Sequence, residues 1–361
     1  MVTVGMVSAS GPTDGLTYSM RTYADALASL GAEVSWYQCL DQGSTGLPGL
    51  PFRSRNIPGI GIPFRSIDMG VNRLWGFRHR LGEPPEDVLF MADPTLVEIG
   101  RSHPRAIVKV NDLRPLGPFA DQRTTTWMFS RVIPKLRDVY RLVTPSRAVL
   151  SELLNLGFPE TMIRVIPDVS LLGLHPEHLE GSVARLQEGS PLRVLTVSTD
   201  RPYKNLRLVV RIAQRLATEG LGKEFEFTIV SRLAPRTRRY IDSLKLGNVR
   251  VLSGLPSLGM VYELSDVLLH PSLYEGFGRT AVESLGFCLP VLATSIPAIR
   301  ETVAGTAILL PGDDEGAWVE TLRALRDPIT YASWARKSLL RAPEYAPDRQ
   351  RAAVAWAILE A

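Results

Sequence analysis

Short apolar runs alternate along this chain with stretches in which apolar residues recur every three or four positions. That alternation predicts parallel strands joined by covering helices. A first strand is expected from Thr3 to Ala9, followed by a turn at Gly11-Pro12-Thr13-Asp14-Gly15. Met20, Tyr23, Leu27 and Leu30 then recur at helical spacing, and Gly31 stops that helix. Further strands are expected over Glu33 to Cys39, Val88 to Met91, Ala106 to Val110, Arg141 to Thr144 and Ile163 to Pro167. Ser146 is placed to cap a helix that ends at Gly157.

From Asp168 to Ser190 no period is evident, and this stretch reads as a linker, residues 169–190. A second alternating series follows, with strands expected over Leu192 to Val197, Phe225 to Val230, Val249 to Leu252, Val267 to His270, Val291 to Ala293 and Ala307 to Leu310. The organisation is therefore an α/β chain with a first domain over 1–168 and a second over 191–345. The tail, 346–361, carries Val354, Trp356 and Ile358 on a helix that could return to the first domain. Between Pro51 and Pro85 the pattern fails. There Arg53, Arg55, Arg65, Arg73, Arg78 and Arg80 interleave with apolar and aromatic residues, and between Phe52 and Leu81 Asp68 alone offsets them. Two readings stay open, a basic surface for an anionic membrane and a solvated excursion over one face of the domain.

With 361 residues the chain exceeds what one core usually serves, in keeping with two domains. The 45% hydrophobic and 22% charged content is that of a folded protein. No apolar run approaches the roughly 20 residues that cross a bilayer, and the first residues lack the features of a signal peptide. A cytoplasmic protein is expected, with peripheral contact at the inner membrane face through residues 52–81 as an added possibility. Cys39 and Cys288 sit in apolar contexts and are expected as buried thiols. The net charge is +4, and only six of the 41 basic residues are Lys. Arginine fits phosphate bidentately, so this bias admits a basic nucleic-acid-binding protein as a rival reading, although nucleic acid is not the expected partner.

Chemistry concentrates in Asp266-Val267-Leu268-Leu269-His270-Pro271-Ser272-Leu273-Tyr274-Glu275-Gly276-Phe277-Gly278, continuing through Arg279 and Thr280 to Glu283. An apolar strand ends in a glycine loop, and a helix starts near Arg279. Backbone amides approached closely at Gly276 and Gly278 suit a diphosphate, and a carboxylate on the helix suits sugar hydroxyls. A second stretch, Ser198-Thr199-Asp200-Arg201-Pro202-Tyr203-Lys204-Asn205-Leu206, offers two cations after another strand.

Together with Val143-Thr144-Pro145-Ser146, Gly157-Phe158-Pro159 and Val165-Ile166-Pro167, these strings resemble the retaining, nucleotide-sugar-dependent glycosyltransferases of family four. The resemblance implies the GT-B fold, two doubly wound Rossmann-like domains facing across a cleft. It implies transfer of a hexose, with mannose the candidate, from a nucleotide diphosphate sugar to a glycan or lipid-linked acceptor, without a metal or other cofactor. It assigns Glu275, Lys204 and Arg201 to catalysis. Glu283, Gly276, Phe277, Gly278, Arg279, Thr199 and Gly15 then hold the donor, and Asp14, Asn111 and Asp112 face the acceptor. The sequence departs from the family pattern at Thr199, where an Arg is usual, at Asp14-Gly15, where two glycines are usual, and at Asn111, where a His is common. A GT-B phosphorylase or a nucleotide-sugar epimerase would use the same anion chemistry and remains the enzyme alternative. His175 and His178 flank Pro176 without a third ligand at fixed spacing, so no metal site is expected.

Overall fold

A computed structural model describes residues 1–9, 15–40, 52–63, 65–255 and 257–360, which form two compact units. Asp14 and most of the turn after the first strand lie outside the described residues. Met1–Val169 and Pro347–Ala361 make the first unit, and Ser170–Ala346 the second.

Seven strands build the first sheet: β1 (Thr3–Ser8), β2 (Glu33–Leu40), β3 (Arg53–Pro58), β4 (Val88–Met91), β5 (Ala106–Lys109), β6 (Arg141–Thr144) and β7 (Ile163–Val165). Their order is β3-β2-β1-β4-β5-β6-β7, every pair parallel. The second sheet holds β8 (Leu192–Val197), β9 (Phe225–Val230), β10 (Val249–Leu252), β11 (Val267–His270), β12 (Val291–Thr294) and β13 (Ala307–Leu310). It runs β10-β9-β8-β11-β12-β13, again wholly parallel. Such strands are covered on both faces and are apolar throughout rather than alternating; all four residues of β4, of β11 and of β12 are buried.

In each sheet the strand order reverses once, between β1 and β4 and between β8 and β11. Open α/β sheets bind ligands outside the carboxyl ends of their strands at this reversal. In the second unit the loops leaving β8 and β11 are the two strings that the sequence marks as chemical.

Helix Leu206–Thr218 shows why the intervening segments are helical. Leu206, Val209, Val210, Ala213 and Leu216 face the sheet, and Arg207 and Arg211 face outward. Beyond the sheet, helices Glu315–Ala324 and Pro328–Arg341 bury Trp318 and Tyr331 in the same core. The two cysteines are buried and unbridged, and burial pushes the Cys288 thiol up to about 11.

Three expectations need correction. The stretch 169–190 is not a patternless linker: all but Val169 belongs to the second unit, and Glu177–Gln187 is a helix. Its buried Ser182 donates to Asp266 Oδ1 at 2.9 Å, and Arg185 bonds both oxygens of that carboxylate. Burial pushes the Asp266 carboxyl up, but the Arg193 hydrogen bonds and charge and the nearby Arg185 outweigh it, and the group is held below its ordinary range. The stretch 52–81 is not an irregular excursion either. It supplies edge strand β3 and helical turns over Arg65–Leu81. Phe77 and Leu81 enter the core, Asp68 accepts from the Gly61 and Ile62 amides, and Arg73 lies 3.4 Å from Asp93. Lastly, the tail does not use Trp356 for packing. Val354 and Ile358 join the core around β1, whereas Trp356 is 50% exposed, with the Arg164 guanidinium 4.4 Å from its ring centre. Arg141 and Gln350 secure the tail, Arg141 by donating to Ala357 O at 2.7 Å and Gln350 by donating to Pro167 O at 2.8 Å.

Candidate active site

β11 delivers His270 to the carboxyl end of the second sheet, and Pro271 to Gly278 form the loop before helix Arg279–Leu285. The loop after β8 reaches it directly, because the Leu273 amide donates to Tyr203 O at 2.7 Å. That bond carries Lys204 to Glu275, and Lys204 Nζ donates to Glu275 Oε1 at 2.6 Å. His270 Nε2 stands 3.0 Å from the same oxygen, while its Nδ1 is 3.1 Å from Thr280 Oγ1. The side chains of Lys204 and Glu275 are 19% and 12% exposed, so water reaches the pair only partly. Burial pushes the Glu275 carboxyl upward, but the Lys204 charge and the His270 contact outweigh it and hold it well below the usual carboxylate range. Glu275 is therefore an anion at neutral pH. It can accept hydrogen bonds or face developing positive charge, and it has no proton to donate.

Gly278 explains the turn into the helix. Its φ is 91°, in the left-handed region, and a Cβ there would lie 2.3 Å from Ile299 Cδ1. Only glycine meets both conditions. Phe277, edge-on to Tyr345 with ring centres 5.8 Å apart, anchors the loop, and Gly276 is buried beside it.

Glu283 lies one helical turn beyond Arg279 and is only 3% exposed. Tyr262 donates its hydroxyl to Glu283 Oε2 at 2.9 Å, and Arg279 Nε is 3.1 Å from Oε1. Arg279 is thus engaged by its helix neighbour, and Tyr262, stacked on Phe287 at 5.4 Å, fixes the other oxygen.

The structure joins Lys204, Glu275, Gly276, Phe277, Gly278, Arg279 and Glu283 in one loop-and-helix region. Thr199 and Arg201 fall elsewhere in the β8 loop: Thr199 is exposed, its carbonyl accepts from the Arg201 amide at 2.8 Å, and Arg201 lines a groove beside helix Leu206–Thr218. In the first unit Gly15 opens helix Gly15–Ser29. Asn111 donates to Ala92 O at 3.1 Å, and Asp112 accepts from the Arg114 amide at 3.1 Å, both just beyond β5. His270, Thr280 and Tyr262 were not foreseen as site residues. For His270 a signal existed, since it is the one polar side chain in Val267–His270 and closes the strand. Tyr262 had none, because its pairing with Glu283 spans 21 residues.

Among the described residues no group of three or more His, Cys, Asp or Glu could hold a metal, and no helix is long and apolar enough to cross a membrane.

Residues 191–327 match the family described as Glycosyl transferases group 1. A mannosyltransferase of Mycolicibacterium hassiacum, MMP alpha-(1->4)-mannosyltransferase, is 28% identical over 174 residues, covering 46% of this chain and 40% of the relative. The O-antigen chain mannosyltransferase RfbU of Salmonella typhimurium is 30% identical over 76 residues, 20% of this chain and 22% of that protein. The chain thus spans well under half the length of these curated relatives. Over the whole chain the fold is shared with sucrose-phosphate synthase from Thermosynechococcus elongatus, at TM-score 0.79 and 17% identity, covering 98% of this chain and 97% of the other. HepE from Anabaena, solved with UDP-glucose, superposes at TM-score 0.75 with 14% identity, covering 99% of each chain. These likenesses give the chain the two-domain GT-B fold.

Proposed function

We propose, from the membership of residues 191–327 in the glycosyl transferases group 1, that this glycosyltransferase moves a hexose from a nucleotide diphosphate sugar to a glycan or lipid-linked acceptor. Anomeric configuration is retained and no metal or other cofactor takes part. Mannose is the sugar that the named relatives favour, since two of them are mannosyltransferases.

One observation carries the reading, the Lys204–Glu275–His270 chain beside Gly276 and Gly278. In the transfer the bond between the anomeric carbon and the diphosphate oxygen breaks, and its electron pair goes to that oxygen. The acceptor oxygen bonds to the anomeric carbon, and its proton leaves to the diphosphate. Negative charge therefore grows on phosphate oxygens and positive charge at the sugar carbon. A fixed ammonium lowers the first and a fixed carboxylate the second, without reorganising water at the moment of reaction. Lys204 serves the diphosphate with the Gly276 and Gly278 amides, and Glu275 serves the sugar. Arg201 is the second cation, and Thr199, Phe277 and Arg279 border the donor. Glu283 receives the ribose hydroxyls, sharing its oxygens with Tyr262 and Arg279. Gly15, Asn111 and Asp112 of the first unit serve the remaining donor and acceptor contacts. Peripheral contact with an anionic membrane rests on Arg78, Arg80 and Trp75, which is 59% exposed and stacked on His79.

The test is a panel of nucleotide sugars read first by melting temperature, since a ligand at 100 times its Kd adds about 2.7 kcal/mol of stability. The stabilising donor is then incubated with candidate acceptors, and the product anomer is read by NMR. A product of inverted configuration overturns retention. Conversion of donor without any acceptor favours the epimerase alternative, and a panel with no stabilising member overturns the donor assignment.

A further inference from the structure

A groove in the second unit lies beside the β8 loop, apart from the Lys204–Glu275 pair, and of the residues given a role in the reaction above it shares only Arg201. Helices Leu206–Thr218 and Pro235–Ser243 flank it, and its volume is about 860 Å³. That size falls within the range of small-molecule sites. Neither Lys204 nor Glu275 lines it.

Its floor is apolar, made by the buried Leu206, Val210 and Ile241. Its rim is cationic. Arg207, Arg211 and Arg236 line it with Arg201, and Asp200 is the one acidic residue of the lining. Its Oδ2 accepts from the Ala234 amide at 2.8 Å, which fixes this carboxylate at the start of helix Pro235–Ser243, and its single charge stands against the four guanidinium groups of the lining. Arg211 is bonded to Glu315 through Nε at 3.0 Å. Arg207 and Arg236 are exposed and have no carboxylate partner among the described residues. Arg207 and Arg211 stand four apart on one helix face, an arrangement that costs a few tenths of a kcal/mol by repulsion until an anion arrives. Tyr240 adds a half-open aromatic wall.

Guanidinium groups match phosphate with two parallel hydrogen bonds. A purely inorganic anion would not use the apolar floor or Tyr240. We propose that this groove binds an organic phosphate, its phosphoryl group held by Arg207 and Arg236 and its carbon portion resting on Leu206, Val210, Ile241 and Tyr240. The phosphate belongs either to a free phosphorylated small molecule or to a phospholipid headgroup. The proposal does not depend on the glycosyltransferase reading.

Phenyl phosphate is the probe, titrated into the full chain by calorimetry and by ³¹P NMR. Saturable binding is expected, weakened about tenfold or more by Arg207→Ser/Arg236→Ser, a loss on the order of 1.4 kcal/mol. The pair Arg207→Lys/Arg236→Lys, which keeps the charge but loses the fork, should fall between the two. Thr237→Trp keeps every charge and fills the groove, so it should also weaken binding, whereas Lys204→Ala should not. No saturable binding by about 10 mM probe overturns the proposal. So does unchanged binding by the double Ser variant or by Thr237→Trp, the latter showing that surface charge alone attracts the probe. Loss of binding in Lys204→Ala with the double Ser variant unaffected places the probe in the Glu275 site and also overturns it. Vesicles of phosphatidylglycerol in phosphatidylcholine decide the source. Sedimentation that depends on Arg207 and Arg236 and is competed by the probe assigns a lipid headgroup, and its absence alongside probe binding assigns a free phosphate ester.

Discussion

Removing Lys204 should damage folding as well as chemistry, because its partner is left behind. On sequence grounds Lys204 looks like an exposed cation at a helix start, a group that contributes little stability. In the structure it holds a carboxylate that is only 12% exposed, at 2.6 Å. At that distance, and with an effective dielectric near 20, the attraction is about 6 kcal/mol, most of it offset by desolvation of both groups. Deleting one partner of a fully buried pair costs about 3–5 kcal/mol. His270 remains 3.0 Å from the carboxylate and the pair is partly hydrated, so about 2–3 kcal/mol is the expected loss for Lys204→Ala. Urea unfolding of the parent, Lys204→Ala, Glu275→Gln and the double variant measures it. In the double variant no buried charge is stranded, and the cycle should return a coupling on the order of 1–3 kcal/mol. The pH dependence has a definite sign. Because the folded Glu275 is held below its ordinary value, its contribution is present above the unfolded carboxyl value and is lost as pH falls. In Lys204→Ala desolvation is far less opposed, so the stability gap from the parent should narrow between neutral pH and about pH 4. Turnover should fall by a factor on the order of a hundred or more in the same variant. A variant as stable as the parent, with zero coupling to Glu275, would refute the pairing as an energetic unit.

Glu275→Gln should lower turnover more than donor affinity, and Glu283→Gln should mainly raise the donor KM, since uniform binding leaves the chemical barrier unchanged; steady-state kinetics with varied donor separates them, and identical profiles would dissolve the division of roles. Transfer should persist in excess chelator, and loss of activity restored by magnesium or manganese would reverse the metal-free proposal. Gly278→Ala should destabilise by about 1–3 kcal/mol in thermal melts, from the left-handed φ together with the clash at Ile299. Anionic vesicles should sediment the protein more than neutral ones, with Arg78→Ser/Arg80→Ser and Trp75→Ser weakening the effect; Arg73, held by Asp93, is excluded from that set. Equal sedimentation with neutral lipid would leave residues 52–81 as a plain surface.

Periodicity determined the alternating architecture, because parallel strands covered on both faces must be continuous apolar runs, and β4, β8, β9, β10, β11 and β13 fall within their expected limits. The string from His270 to Glu283 was legible for a related reason. Strand end, glycine turn, helix start and two carboxylates are local features, written within fourteen consecutive residues. What the chain could not show one-dimensionally is which groups meet across long separations. Lys204 and Glu275 are 71 residues apart, and Tyr262 and Glu283 are 21 apart. The first meeting depends on β8 and β11 being neighbours where the strand order reverses, and the second on the helices before and after β11 packing together. Basic density in 52–81 masked a regular edge strand and helix, since Arg53 and Arg55 are tolerated where β3 has only one neighbour and all its residues but the buried Ile57 are exposed. The helix Glu177–Gln187 does carry a short apolar period, Leu179, Val183 and Leu186, which packs on the second core, but Gly181 and the polar residues around it mask that period. Its anchoring by Ser182 and Arg185 on Asp266, more than 80 residues away, leaves no local signal. Sequence alone determined the apolar core strands and the chemical string, whose causes are short-range, whereas tertiary structure decided the edge strand β3, the helix Glu177–Gln187, the charge state of Glu275, the engagement of Glu283 and the cationic groove, which arise where distant segments share one low-dielectric or concave environment.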